Sequence, residues 1–220
     1  MISIVKRILK KVFPKHVLYY RAYVELIKNE TSYLHLTGWM RSLDENRPVD
    51  KDGNYIPWMN YPVIKFLQDR LKNDFHLFEF GSGYSTSFYA GLVQTVTSVE
   101  YDESWLTVVK KNKPENVELI YKERDIDGEY CRVIRSTGRK YDVVVVDGRD
   151  RVNCIKQSIE SLTDRGVILF DDSQRERYLE GISYAIEKGF RSIRIDGLKP
   201  TRNKIDGTAI FYRRNNCFDI

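Results

Sequence analysis

"HLFEFGSGYSTSFYAGLVQTVTSVEY", His76 to Tyr101, decides the fold. "HLFEF" is a short apolar run of strand character, and two glycines one residue apart, Gly81 and Gly83, follow it directly. Tyr84 to Leu92 then has helical spacing, and "TVTSVEY" reads as a second strand. Strand, glycine turn, helix and strand in so short a span predict a βαβ unit with parallel strands.

Downstream the alternation continues. A helix is expected from Glu103 to Lys111, a strand at "VELIYKE", then an unmarked stretch through Thr137, and a strand at "YDVVVVD". A helix from Arg151 to Ser161, a strand at "GVILFDD" and a long helix from Gln174 to Lys188 follow. The runs Val143 to Val146 and Val167 to Phe170 are apolar without alternation, as expected of parallel strands covered by helices on both faces. "RSIRIDG" and "GTAIFYRR" are joined by a loop, Gly197 to Gly207, with no room for a helix, so they pair as a hairpin and bring an antiparallel strand to the sheet. The predicted class is α/β, a doubly wound, mostly parallel seven-stranded sheet with a C-terminal antiparallel hairpin strand.

Upstream, "VIKFLQDRL" after Pro62 has helical period and opens a domain spanning residues 62–220. Residues 31–61 are rich in Gly, Pro, Asp and aromatics and read as a long loop. Trp39, Tyr55, Trp58 and Tyr61 need something to pack on, so this segment is a substrate-facing lid or a structural wrap over one edge. Residues 1–30 form a basic amphipathic extension: seven Lys or Arg stand against Glu25 and Glu30, which accounts for the whole net charge of +5. The rest of the chain is neutral, which argues against a nucleic-acid-binding body. Charge interrupts the N-terminal apolar run too often for a bilayer span, and no small-residue cleavage site follows it. Its helix lies on an anionic membrane surface, or docks on the domain or on a second subunit. Three widely spaced cysteines, Cys131, Cys154 and Cys217, fit a reducing cytosol, with any membrane contact peripheral and on the inner face.

At the carboxyl end of the first strand the glycines let backbone approach a ligand. A dinucleotide fingerprint asks for a third glycine where Thr86 stands, and no Gly-Lys-Ser/Thr follows for a phosphate loop. Glu100 ends the next strand, placed to accept from both hydroxyls of a ribose. Together they indicate a nucleoside bound without a pyrophosphate. Asp147 ends the fourth strand, and Asp171 and Asp172 end the fifth, so three carboxylates are expected to converge, a set that suits Mg²⁺ or another divalent cation. As alternatives, Asp172 or Ser173 caps the last long helix, and "DGRDR" forms an internal salt-bridged turn.

"FEFGSGYST", "VTSVEYD" and "YDVVVVDGRDR", with the reversed terminal hairpin, resemble the class I S-adenosylmethionine-dependent methyltransferases over roughly Tyr61 to Arg213. "PVDKDGNYIPWMNYP" is similar to the leader of bacterial methyltransferases associated with polysaccharide biosynthesis, and the aspartates are similar to those of metal-dependent O-methyltransferases. The resemblance implies S-adenosylmethionine lined by Glu79, Gly81, Ser82 and Gly83, with Ser85 and Thr86 close by, Glu100 and Asp147 beside it, and Asp125 or Asp127 at the adenine. It implies O-methylation of a sugar or other hydroxylated acceptor, metal-assisted through Asp147, Asp171 and Asp172, with Asp147 or Asp150 as the base. Asp150 stands where the catechol and caffeoyl-CoA branch carries lysine. Trp39, Trp58, Tyr61, Arg149, Arg151 and Arg175 are candidate acceptor contacts. Alternatives are an N-methyl or aminopropyl transferase on the same scaffold, or a non-catalytic interaction module; a homodimer through the N-terminal helix is also open.

Overall fold

The computed structural model describes residues 11–220. Its centre is a seven-stranded sheet of β1 (His76–Phe80), β2 (Thr95–Glu100), β3 (Val117–Tyr121), β4 (Tyr141–Val146), β5 (Leu162–Phe170), β6 (Arg191–Leu198) and β7 (Ile205–Tyr212). The strand order is β3-β2-β1-β4-β5-β7-β6. β1 to β5 run parallel, and β7 enters antiparallel between β5 and β6. The order reverses between β1 and β4, the switch point at which an open α/β sheet of this kind has its crevice, above the carboxyl ends of the two strands.

The valine run shows how the sheet is buried. Because the pleat sends successive side chains to opposite faces, Val143 and Val145 join one core and Val144 and Val146 the other, all four with no exposure. The first core takes Val63, Ile64 and Leu67 from α4 (Tyr61–Arg70) and Tyr89 from α5 (Tyr84–Ala90). The second takes Tyr130, Val133 and Ile134 from α7 (Glu129–Ser136), Cys154 and Ile155 from α8 (Arg151–Ser158), and Ala185 from α9 (Leu179–Glu187). Each large apolar side chain so buried stabilises the fold by roughly 1.5–3 kcal/mol. A further helix, α6 (Glu103–Lys111), begins where Asp102 accepts from the Trp105 amide.

Two expectations are corrected. The stretch before Thr137 contains α7, whose buried Tyr130, Cys131, Val133 and Ile134 lie at helical spacing. Residues 31–61 are not an irregular loop: they hold α2 (Tyr33–Leu36) and α3 (Trp39–Glu45), and a bridge between Val49 and Tyr55 closes the turn that follows. α1 (Pro14–Tyr23) continues into a π-turn, Val24–Lys28, and neither buries a residue against the domain. Residues 14–28 bury no side chain, and residues 1–10, on which most of the apolar stripe expected to dock falls, lie outside the described residues. Among the described residues no helix is long and apolar enough to cross a membrane.

Candidate functional site

The glycine turn and the end of β4 form two sides of one cleft. Gly81 adopts φ +93°, a conformation that excludes a Cβ at low cost, and a Cβ there would lie 2.8 Å from the Gly148 Cα. The pair lets the ends of β1 and β4 come together at the switch point. A cleft of about 590 Å³ opens above them, lined by Gly81 to Ser85, by Glu100 to Asp102, and by Asp147 to Arg149. Trp58, Arg202 and Trp105 complete its rim.

Two glutamates divide the work beneath and beside the turn. Glu79 is completely buried and accepts from the hydroxyls of Thr86 at 2.6 Å, Ser98 at 2.8 Å and Ser85. Burial is the main reason its carboxyl is pushed up to about 7, the three hydroxyls working against it. Glu100 is placed differently. Its Oε1 accepts from the Tyr101 and Asp102 amides at 2.8 and 2.9 Å, while Oε2 is met by the Ser82 hydroxyl at 3.5 Å, with the Ser82 backbone also beside the carboxyl. One carboxylate oxygen thus anchors the side chain and the other remains able to accept from a ligand. Trp105 donates from Nε1 to the Ser82 carbonyl at 2.9 Å and so pins the turn.

The three aspartates do converge, but around cations that the chain itself supplies. Arg151, buried at the start of α8, contacts Asp147 at 2.7 Å, Asp172 at 3.3 Å and Asp171 at 3.9 Å. Lys199, from the loop after β6, reaches Asp172 at 3.3 Å, Asp206 at 3.5 Å and Asp171 at 3.9 Å, and Arg175 pairs with Asp172 at 2.8 Å. Burial opposes the charge of Asp172, but Arg151, Lys199 and Arg175 outweigh it and hold its carboxyl below the usual range. Asp171 shifts upward through burial and the Asp147 charge, and it accepts from the Thr208 hydroxyl at 2.7 Å. Asp147 also shifts upward, chiefly through burial, with Arg151 opposing. An all-oxygen cage for a divalent ion needs these oxygens turned toward one point with no cation among them. Guanidinium and ammonium groups hold that place, and among the described residues no group of His, Cys, Asp or Glu is arranged to bind a metal ion. The expected metal site is replaced by an ion-pair network.

The residues before α4 close the cleft from above. Trp39 donates from Nε1 to the Arg202 carbonyl at 2.8 Å, and Trp58 donates to the Pro200 carbonyl at 3.0 Å and the Thr201 hydroxyl at 3.2 Å. Asn60 caps α4 through the Val63 amide and donates to the Ile195 carbonyl. Two indoles therefore clamp the tip of the β6–β7 hairpin beside the cleft.

Of the residues expected at the site, Gly81, Ser82, Gly83, Ser85, Glu100, Asp147, Arg149, Arg151 and Trp58 line the cleft. Glu79 and Thr86 lie beneath it. Tyr61 is in the core, 5% exposed, and does not reach an acceptor. Asp125 accepts from the Glu129 amide at 2.5 Å and the Tyr130 amide at 3.3 Å, so it caps α7, and Asp127 pairs with Arg132. Neither lines the cleft. Asp150 also points elsewhere, accepting from Asn153 Nδ2 and from the Asp127 amide at 2.8 Å, which corrects its reading as a base. Arg175 lies outside the cleft, against Asp172. Sequence reasoning missed Tyr101, Trp105, Lys199 and Arg202 as parts of the site. Tyr101 directly follows Glu100 and Trp105 lies five residues after it in the next helix, a signal available from spacing, whereas Lys199 and Arg202 arrive only through the hairpin.

No protein-family model matches the chain, and no curated protein matches it. Solved structures do. A precorrin-6y C5,15-methyltransferase from Geobacter metallireducens superposes with a TM-score of 0.55 at 16% identity, over 78% of this chain and 96% of its own. An rRNA methylase from Streptococcus thermophilus gives 0.52 at 16% identity, over 70% and 97%. The N-methyltransferase NodS from Bradyrhizobium japonicum, in complex with S-adenosyl-L-homocysteine, gives 0.51 at 13% identity, over 82% and 98%. This chain has the Rossmann-like α/β fold shared by these methyltransferases.

Proposed function

We propose that the protein is an S-adenosylmethionine-dependent methyltransferase acting on the oxygen of a sugar or another hydroxylated small molecule. The observation that carries this reading is the cleft at the switch point, where backbone at Gly81 to Gly83 faces Glu100 with one oxygen unspent. Glu100 would accept from the ribose hydroxyls, and Ser82, Gly83 and Asp147 would border the methionine end. When bound, the cofactor supplies a methyl group already activated on a sulfonium. The protein's task is then alignment of the acceptor, a proximity contribution. Asp147 sits on the cleft wall with its Oδ1 held by Arg151, which orients the other oxygen to take the hydroxyl proton. Trp58 and Arg202 shelter that end from water.

Calorimetric titration with S-adenosyl-L-homocysteine tests the reading: saturable binding supports it, and absence of binding overturns it. Asp147→Asn should retain that binding and lose at least about tenfold in methyl transfer rate. Chelation with EDTA should leave the rate unchanged, because Arg151 and Lys199 already neutralise the aspartates.

Residues 1–30 extend the proposal to location, a cytoplasmic enzyme touching the inner membrane face. Val12, Phe13, Leu18, Tyr19 and Tyr20 are exposed on a segment rich in Lys and Arg, which favours an anionic lipid surface. Co-sedimentation with anionic vesicles but not zwitterionic ones is expected. A concentration-dependent dimer without vesicle binding would assign the segment to a second copy instead.

A further inference from the structure

Behind the cleft lies a second cavity of about 260 Å³, whose walls include Arg124, Arg149, Arg151, Arg175 and Arg177 with Asp150 as the one acidic residue. The arginines arrive from three strand ends: Arg124 follows β3, Arg149 and Arg151 follow β4, and Arg175 and Arg177 follow β5. Arg151 and Arg175 are neutralised by the aspartates already described. The others are not. Arg149 donates to the Tyr101 hydroxyl at 2.8 Å and lies over its ring, and Arg177 lies over the Tyr178 ring at 4.8 Å. Among the described residues neither of these, nor Arg124, forms a salt bridge, and all three are exposed. The Asp150 carboxylate is already engaged by Asn153 and the Asp127 amide.

The donors to Asp150 are neutral, so its carboxylate offsets one of the three free guanidinium charges; the positive charge that remains repels itself, and an anion reduces that cost. Several unneutralised forks call for an anion with more than one negative charge, and planar guanidinium matches phosphate oxygens in pairs. The N-terminus of α8 opens on the same cavity and adds to the field. Gly148, Arg149 and Arg151 line both the cavity and the cleft, so a molecule anchored in one extends directly into the other.

We propose that this cavity recognises the acceptor by a phosphate or diphosphate group, with the hydroxyl to be methylated reaching over the Gly148–Arg149 edge into the cleft. This rests on the methyltransferase reading for its consequence, though the anion site itself does not.

Inorganic pyrophosphate is the first probe, titrated calorimetrically into the full chain, with S-adenosyl-L-homocysteine titrated separately. Pyrophosphate binding should weaken about tenfold or more in Arg124→Gln and in Arg177→Gln. Affinity for S-adenosyl-L-homocysteine should not change, since neither residue lines the cleft. Both positions are exposed, and matched melting curves confirm that the variants fold. Absence of pyrophosphate binding at millimolar concentration, or equal binding by wild type and both variants, overturns the proposal. Pyrophosphate binding without S-adenosyl-L-homocysteine binding leaves the anion site standing and sinks the methyltransferase reading; the reverse sinks the anion site alone. Uridine diphosphate and farnesyl diphosphate then distinguish sources: tighter binding of the first assigns a nucleotide-linked acceptor, and of the second a lipid-linked one.

Discussion

Gly81 and Gly148 touch where β1 and β4 end, each occupying the space a side chain on the other would need. A Cβ on Gly81 would sit 2.8 Å from the Gly148 Cα, and one on Gly148 would strike the Tyr130 hydroxyl. Gly83 is different. Its backbone is extended, and a Cβ there would meet nothing nearer than Trp105 Nε1 at 3.8 Å. Packing within the protein does not demand glycine at position 83.

The two glycines should therefore fail in different ways. Gly81→Ala combines a left-handed backbone with a clash and should cost about 1–3 kcal/mol of stability, read as a lower thermal midpoint. Gly83→Ala should melt with wild type yet bind S-adenosyl-L-homocysteine at least about tenfold more weakly, because the added methyl enters space kept for the ligand. A Gly83→Ala protein with unchanged affinity would remove the ligand from that turn.

Glu79 makes stability depend on pH. Its folded-state value of about 7 lies above its ordinary 4.5, so the folded protein keeps a proton that the unfolded chain releases. Its contribution is complete below pH 4.5 and is lost as pH rises through 7, a difference of roughly 3 kcal/mol. Denaturant unfolding of wild type and Glu79→Gln at several pH values should show their difference changing across that interval. A difference that stays flat would mean that Glu79 is ionised throughout.

Trp58 holds the hairpin tip through two hydrogen bonds from one nitrogen. Trp58→Phe keeps a ring and loses both, which should cost about 1 kcal/mol. Hydrogen exchange should accelerate at residues 199–204 and remain unchanged in β1 and β4. Uniform acceleration across the sheet would show instead that the indole supports the whole fold.

Asp125 is expected to behave as a cap. Asp125→Ala removes the acceptor for two α7 amides and should lower stability by about 1 kcal/mol. Affinity for S-adenosyl-L-homocysteine should stay within about twofold of wild type. A large loss of affinity at unchanged stability would return Asp125 to the adenine.

The chain determined by itself what depends on local period and on strand ends. Short, valine-rich apolar runs such as Val143 to Val146 fit strands covered on both faces, and Gly81, Gly83 and Glu100 fall at or just after the carboxyl ends of β1 and β2. Even the hairpin followed from a loop too short for a crossover. α7 was missed because its start is marked by Asp125 through side-chain capping at a distance of four residues, which composition alone renders as a turn.

Tertiary structure decided how charge is distributed. Asp147, Asp171 and Asp172 are legible as three strand-end carboxylates, and three carboxylates alone ask for a cation. That the cation is Arg151 and Lys199 follows from β7 entering between β5 and β6, which folds the loop after β6 back over the end of β5. The arginines at 124, 149 and 177 line one cavity because β3, β4 and β5 run parallel and so end on the same side of the sheet. Electrostatic energy depends on distance through space, and sequence spacing carries that distance only within a helix turn or a strand pair.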